Sequence, residues 1–88
     1  MKITVELSLY PLQDDPIPVI QDFIRDLAVA DDIQVISNQM STQLRGELAA
    51  IMSLVEQALQ RSFAGPRHQV LVAKFINADL PIAQPPAL

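Results

Sequence analysis

Apolar and polar side chains alternate along the N-terminal segment, and this alternation constrains the fold more than any other feature of the chain. The apolar positions are Ile3, Val5, Leu7 and Leu9, and the polar ones are Thr4, Glu6, Ser8 and Tyr10. Alternation of this kind is typical of a β-strand with one buried face. Because a single strand cannot bury that face alone, the rest of the chain must supply more strands and a covering layer.

Two later segments carry the period of amphipathic helices. The first stripe is Ile20, Phe23, Ile24 and Leu27; the second is Leu48, Ile51, Met52, Val55 and Leu59, extended by Ala58 and Phe63. This spacing predicts that both stripes face the core. We expect Asp15 to cap the first helix, with Pro16 at its first position. Asp31 and Asp32 are expected to mark its end, because negative charge there opposes the helix dipole.

Three further segments are predicted to be strands. They are Ile33–Ile36, Met40–Arg45 and Val70–Ile76. The first two are expected to form a hairpin that reverses near Asn38 to Met40, with Gly46 breaking the second strand. The last segment is apolar apart from Lys74, which predicts a central strand buried on both faces.

The resulting order, βαββαβ, predicts an α+β fold. Right-handed crossovers place both helices on the same face of the sheet. We therefore expect a ferredoxin-like sandwich: a four-stranded antiparallel sheet, with strands one and four in the centre and two helices on one face. Residues 1–80 would form this domain, and residues 81–88 a Pro-rich C-terminal tail that is loose or lies against a partner chain. Because the other sheet face mixes apolar and polar residues, we expect it to pack on another subunit, to cover a ligand, or both, and we expect a homo-oligomer.

Composition excludes several classes of site. The chain has no cysteine, which excludes disulfides, thiolate metal sites and a cysteine nucleophile. His68 is the single histidine, with no acid near it in sequence, so neither a metal site nor a catalytic base is predicted.

Charge and hydropathy bear on partners and location. The net charge is −4, and the six basic residues are scattered along the sequence, so no nucleic-acid partner is expected. No apolar run approaches the roughly 18 residues of a membrane span, and the N-terminal segment does not resemble a signal peptide. We expect a cytoplasmic protein that does not associate with membranes.

Neutral hydrogen-bonding side chains are concentrated in the stretch "NQMSTQ", residues 38–43. One interpretation is structural: Asn38 supports a turn, while Ser41 and Thr42 occupy strand positions. The other is functional: these side chains meet within reach of the end of strand one and form a binding site.

Two residues on the polar side of strand one have the same ambiguity. Glu6 is predicted to pair with Arg45 or Lys74, to lie at a subunit rim, or to contact a ligand. Tyr10 has an apolar ring and a polar tip, so it could simply cover the sheet edge or take part in a site.

Three segments together resemble a known family. They are "ELSLYPL" (Glu6–Leu12), "SNQMSTQLRGE" (Ser37–Glu47) and "KFINADL" (Lys74–Leu80). The chain is similar to small single-domain members of the thiamine-binding YkoF-like family. The resemblance implies a ferredoxin-like domain that assembles into dimers or tetramers. It also implies non-catalytic binding of thiamine, or of its hydroxymethylpyrimidine part, with no further cofactor.

The candidate ligand-binding residues are Glu6, Ser8, Tyr10, Asn38, Met40, Ser41 and Thr42. Hydroxyl and amide groups can match the donors and acceptors of an aminopyrimidine, and an unmatched buried group is costly. The thiazolium cation would favour a carboxylate or an aromatic face. No phosphate-binding loop is evident, so we predict free thiamine over its diphosphate. No catalytic or metal-binding residue is predicted.

Two other functions are compatible with the residues. One is a cofactor-independent enzyme in which His68 or Glu6 acts as the acid–base group. The other is a regulatory or structural oligomeric subunit whose polar cluster meets another protein.

Overall fold

A computed structural model describes residues 1–88 and contains the six predicted elements in the predicted order. They are β1 (Lys2–Pro11), α1 (Ile17–Leu27), β2 (Gln34–Ser37), β3 (Thr42–Glu47), α2 (Leu48–Phe63) and β4 (Gln69–Ile76). All neighbouring strands pair antiparallel, in the spatial order β2-β3-β1-β4. The predicted ferredoxin-like α+β sandwich is confirmed.

The core lies between the sheet and both helices. Its buried members are Ile3, Val5, Leu7, Leu9, Phe23, Leu27, Ile33, Leu44, Ile51, Leu54, Val55 and Ala58. All four apolar positions of the β1 alternation are among them, so the predicted inward face of this strand is confirmed. Neither helix combines the length and the apolar character needed to cross a lipid bilayer.

The predicted position of β4 is wrong. β1 and β3 occupy the centre of the sheet, and β4 is an edge strand that pairs only with β1. Val72, on the face away from the helices, is 49% exposed, and Phe75 on the opposite face is also half exposed. A continuous apolar run shows that a strand has two apolar faces, but it does not show what covers them.

The prediction that Gly46 breaks β3 is also wrong. Gly46 lies within the strand, opposite Ile3 of β1. No residue of the chain has a positive φ, so the backbone freedom of glycine is not used there. Instead, a Cβ atom on Gly46 would lie 3.2 Å from Cγ1 of Ile33, so the Ile33 side chain would have to shift slightly to admit any larger residue.

Several predicted element boundaries differ from the structure. β3 begins at Thr42 rather than at Met40. The N-cap of α1 is Pro16, which has no side-chain cap, so Asp15 does not cap the helix as predicted. α1 ends at Leu27, well before Asp31.

Met52 was predicted to lie in the core, and this is wrong. Its side chain is half exposed on α2. It borders a groove between α2 and β4, because no further strand extends the sheet past β4 to cover that side of the helix.

The segment after β4 folds back over the outer face of the sheet, the face away from the helices. The Thr4 hydroxyl donates to the carbonyl oxygen of Ala78 at 2.8 Å and accepts from the N–H of Leu80 at 2.9 Å. Arg45 of β3 forms an ion pair with Asp79, and this hydrogen bond lowers the pKa of Asp79. Residues 77–80 therefore cover part of the face that the helices leave bare.

Replacing Thr4 by valine should release this segment. Thr4→Val keeps the shape of the side chain but removes the acceptor of the Leu80 N–H, a hydrogen bond with a net contribution of about 0.5–1.5 kcal/mol. We expect the Leu80 amide to exchange with solvent about tenfold faster, as measured by NMR hydrogen exchange. Ser53→Ala, on the exposed side of α2, should leave that rate unchanged. An unaltered Leu80 rate in Thr4→Val would show that the hydroxyl does not hold the segment.

Candidate functional site

β1 extends beyond the end of its central neighbour, and this leaves part of one edge open. Its pairing with β3 ends at Leu7 opposite Thr42. Its pairing with β4 continues to Pro11 opposite Gln69. Beyond Leu7, therefore, β1 has a partner on only one side.

The main chain of Leu9 faces this open edge. Leu12 donates its N–H to the carbonyl oxygen of His68, toward β4. Because the peptide groups of successive strand residues point to opposite sides, Leu9 points its N–H and C=O the other way, as Leu7 does. Leu7 meets Thr42 there, whereas no strand residue stands opposite Leu9. Leu9 is a buried residue, and buried main-chain groups need a hydrogen-bonding partner.

The turn between β2 and β3 stands beside the open edge and is closed by a side chain. Asn38 donates its N–H to the carbonyl oxygen of Ser41 at 3.1 Å. Its Oδ1 accepts from the N–H groups of Met40 at 2.9 Å and Ser41 at 3.2 Å. Two-residue hairpin turns normally contain residues with positive φ values, and this chain has none. The side-chain oxygen of Asn38 stabilises the turn instead. The predicted turn at residues 38–40 is confirmed, and Asn38 Oδ1 has a structural role.

The open edge and the turn enclose a cavity of about 230 Å³, which we call the turn pocket. Its lining residues are Leu7, Ser8, Leu9, Tyr10, Ile20, Ile24, Ser37, Asn38, Gln39, Met40, Ser41 and Thr42. The predicted residues Ser8, Tyr10, Asn38, Met40, Ser41 and Thr42 are all among them, and Glu6 is not. Side chains from β1, α1 and the β2–β3 turn thus meet in one place.

The predicted polar residues do not all point to the same side of the sheet. Thr42 stands opposite the inward-facing Leu7, is only 5% exposed, and shares a 2.7 Å hydrogen bond with the Ser37 hydroxyl. Ser41 lies on the outer side, as its contact with Glu6 shows. Met40 is 86% exposed at the tip of the turn. Thr42 therefore lines the inner wall of the turn pocket and Ser41 its outer rim.

Glu6 lies next to Ser41 on the outer face of the sheet, and two side chains contact its carboxylate. The Ser41 hydroxyl donates to Glu6 Oε2 at 2.9 Å, and Lys74 Nζ lies 3.2 Å from Oε1. Of the two predicted partners, Lys74 is thus confirmed, while Arg45 pairs with Asp79 instead. The hydrogen bond from Ser41, and then that from Lys74, lowers the pKa of Glu6 below its ordinary value. This carboxylate is therefore ionised at neutral pH.

A comparison with protein-family models places the chain in a family. The model described as "YKOF-related Family" matches residues 2–81. The chain belongs to the YKOF-related family. The resemblance of the three sequence segments is thereby confirmed over almost the whole length. No curated protein matches the chain.

Solved structures similar to this YKOF-related chain confirm its fold. A hypothetical protein from Methanocaldococcus jannascii is 22% identical, with a TM-score of 0.78 over 89% of this chain and 81% of its own. A Streptococcus pneumoniae protein is 24% identical, with a TM-score of 0.80 over 94% and 92%. A Thermotoga maritima protein, proposed to act in thiamine biosynthesis or salvage, is 20% identical, with a TM-score of 0.82 over 93% and 91%.

Sequence reasoning did not find the main chain of Leu9 in this YKOF-related domain. The only available signal was the difference in length between the predicted first and third strands. His68, the other residue considered for chemistry, lies on the far side of β1 and contributes its carbonyl oxygen to Leu12. No group of three or more His, Cys, Asp or Glu side chains is arranged to hold a metal ion.

The Ser41 hydrogen bond predicts a measurable titration. The pKa of Glu6 should be below its ordinary value in the native chain and should rise toward that value in Ser41→Ala. Because the folded-state pKa is the lower one, the stabilisation is present above the unfolded pKa and is lost as pH falls through the folded one. NMR titration of the Glu6 carboxyl carbon measures this. Ser53→Ala should leave the Glu6 titration unchanged, whereas an equal shift in both variants would contradict the assignment.

Proposed function

We propose that this protein binds thiamine, or its hydroxymethylpyrimidine part, in the turn pocket without catalysing a reaction. The observation that carries the proposal is the open edge of β1, where the unpaired main-chain groups of Leu9 lie beside Ser8 and Ser41. The role proposed for the Thermotoga maritima relative also favours a thiamine-related function.

The pairing chemistry of an aminopyrimidine suits this edge. Its amino group donates and its adjacent ring nitrogen accepts, both in the plane of the ring. The N–H and C=O of Leu9 supply the complementary acceptor and donor on one residue. Ser8, Ser41 and the Asn38 amide nitrogen provide further neutral groups around the ring. A ligand without matching groups would leave them desolvated and unpaired, which gives specificity.

The size of the turn pocket indicates which part of thiamine enters it. Its volume, about 230 Å³, is below the 300–1,000 Å³ that is usual for drug-sized ligands. It therefore suits a single pyrimidine ring, with the thiazolium ring left near the rim. There the ionised Glu6 and the half-exposed ring of Tyr10 both favour a cation. Lys74 competes for Glu6, but its side chain is largely exposed and can move aside.

Acid–base catalysis is the less favoured alternative. A general base works best with a pKa near the operating pH, whereas the pKa of Glu6 is lowered. His68 belongs to the opposite side of β1 and does not line the turn pocket.

Titration calorimetry tests the proposal directly. We expect both thiamine and hydroxymethylpyrimidine to bind, and thiamine diphosphate to bind the turn pocket more weakly because its lining residues include no Lys or Arg. Ser41→Ala should weaken binding about tenfold, the effect of one lost hydrogen bond. Ser53→Ala is the matched control, since it removes a serine hydroxyl from the surface of α2. Absence of heat with either ligand at millimolar concentration would refute the proposal.

We also propose that the chain forms a homodimer or homotetramer through the outer side of β4. Val70, Val72 and Ile76 all lie half exposed on that face, with Lys74 between the last two, and exposed apolar side chains grouped on one face are typical of a subunit contact. Light scattering after gel filtration should give a multiple of the 9.7 kDa chain mass. Val72→Lys should produce monomers, whereas Val29→Lys, at an exposed valine outside the sheet, should not. A monomeric wild-type protein would contradict this assembly.

A further inference from the structure

A second concavity lies away from the turn pocket and is lined mainly by polar residues. It measures about 640 Å³ and lies between α1, the end of α2 and the loop that leads to β4. Its lining residues are Gln13, Val19, Asp22, Phe23, Arg25, Asp26, Arg61, Ser62, Gly65, Pro66, Arg67 and Gln69. We call it the arginine pocket, because Arg25, Arg61 and Arg67 all belong to it.

These arginines were expected to be scattered, and in space they are not. They are three of the six basic residues of the chain, brought together from α1, from α2 and from the loop. The cluster is not visible in the sequence, because Arg25 and Arg61 are 36 positions apart in the chain.

Most of the guanidinium N–H groups in the arginine pocket are not used within the chain. Arg25 Nη1 pairs with Asp22 at 2.6 Å. Arg61 Nη1 lies 3.9 Å from Asp26, which is too far for a hydrogen bond. Arg67 forms no ion pair. Since each guanidinium carries five donors, Arg61 and Arg67 have nearly their full capacity available.

The wall that carries Arg67 is fixed by hydrogen bonds. The Ser62 hydroxyl donates to Gln69 Oε1 at 2.7 Å, and Gln69 Nε2 donates to the Ser62 carbonyl oxygen at 2.7 Å. This reciprocal pair ties the end of α2 to the start of β4. Pro66, directly before Arg67, restricts the loop further. The loop that forms one side of the arginine pocket is therefore held in place at both of its ends.

We propose that the arginine pocket binds a small phosphate dianion, either inorganic phosphate or the phosphoryl group of a small phosphomonoester. Planar guanidinium groups bind phosphate oxygens in pairs, which lysine cannot do as well. Asp22 and Asp26 leave a local charge of only about +1 against three arginines, which is enough for a compact anion. A nucleic acid would instead need an extended basic surface. This site shares no lining residue with the turn pocket, so a test of phosphate binding here does not depend on whether thiamine binds there.

NMR titration of the folded protein with inorganic phosphate tests this site, with sodium chloride at matched ionic strength as the reference. We expect saturable amide shifts around Arg61, Arg67 and Gln69 with phosphate only. The double variant Arg61→Gln/Arg67→Gln should weaken binding about tenfold or more, because charged hydrogen bonds are lost. Lys2→Gln, which removes a positive charge elsewhere, is the control and should bind as the native chain does.

Two further measurements keep the result interpretable. Arg61→Lys retains the charge and should still bind more weakly, because it loses the planar donor pair. Glycerol phosphate identifies the source: tighter binding than inorganic phosphate indicates a phosphomonoester, and weaker binding indicates the free ion. Shifts that do not saturate, that chloride reproduces, or that persist in the folded double variant would overturn the proposal.

Discussion

Replacing Ser8 by phenylalanine should abolish thiamine binding, with a loss of at least about a hundredfold in affinity. Ser8 is a small half-buried residue that lines the turn pocket. An aromatic ring there would occupy much of the 230 Å³ that the pyrimidine ring needs. A hundredfold loss corresponds to about 2.7 kcal/mol. Calorimetry with thiamine and with hydroxymethylpyrimidine measures the effect.

The same substitution should not unfold the domain, so the result is specific to the site. Phenylalanine is well accommodated in β-strands, and the melting temperature should change by only a few degrees. Ser53→Phe introduces the same side chain on the exposed surface of α2 and should leave the affinity unchanged. If Ser8→Phe binds thiamine like the native chain, the ligand does not occupy the turn pocket.

Replacing Leu44 by alanine should cause a large loss of stability. Leu44 lies in the central strand β3, paired with Val5 on one side and Val35 on the other, and is 0% exposed. Truncating a buried leucine costs about 2–5 kcal/mol, from lost transfer free energy and the remaining cavity. Domains of this size have few kcal/mol to spare, so much of the population should unfold. Urea denaturation followed by circular dichroism measures the change.

Met52→Ala is the informative comparison. The helical spacing predicted that Met52 lies in the core, whereas the structure leaves it half exposed on α2. We therefore expect a loss below about 1 kcal/mol for Met52→Ala, since the residue already contacts solvent. Equal losses for the two variants would mean that the groove beside β4 is covered.

The fold was predictable because local patterns agreed with one another. The alternation in β1 identified its buried face correctly, and two helical stripes separated by a hairpin left few possible arrangements. The position of β4 was not predictable from its apolar run, because Val72 and Phe75 would look the same whether covered or exposed. Gly46 was wrongly predicted to end β3. Its lack of a side chain leaves room for Ile33, and this contact is not visible in the local sequence.

The candidate site was predictable only in part. Side chains with unusual chemistry, such as Ser41 and Asn38, stood out in the sequence, and the structure places them at one pocket. The main-chain groups of Leu9 carry no sequence signal, because they are unpaired only through the relative lengths of β1 and β3. The arginine pocket was equally hidden, since it depends on how α1 packs against the end of α2.

The turn held by Asn38 has a consequence for how samples of this protein age. Spontaneous deamidation passes through a cyclic imide that opens to isoaspartate or to aspartate. The aspartate form still offers a carboxylate oxygen to the N–H groups of Met40 and Ser41. In that form the hairpin would keep its shape, while the rim of the turn pocket would gain a negative charge and lose a donor. An old preparation would thus look intact by circular dichroism, yet carry a subpopulation that differs by one charge unit on ion exchange and discriminates differently between charged and neutral pyrimidines.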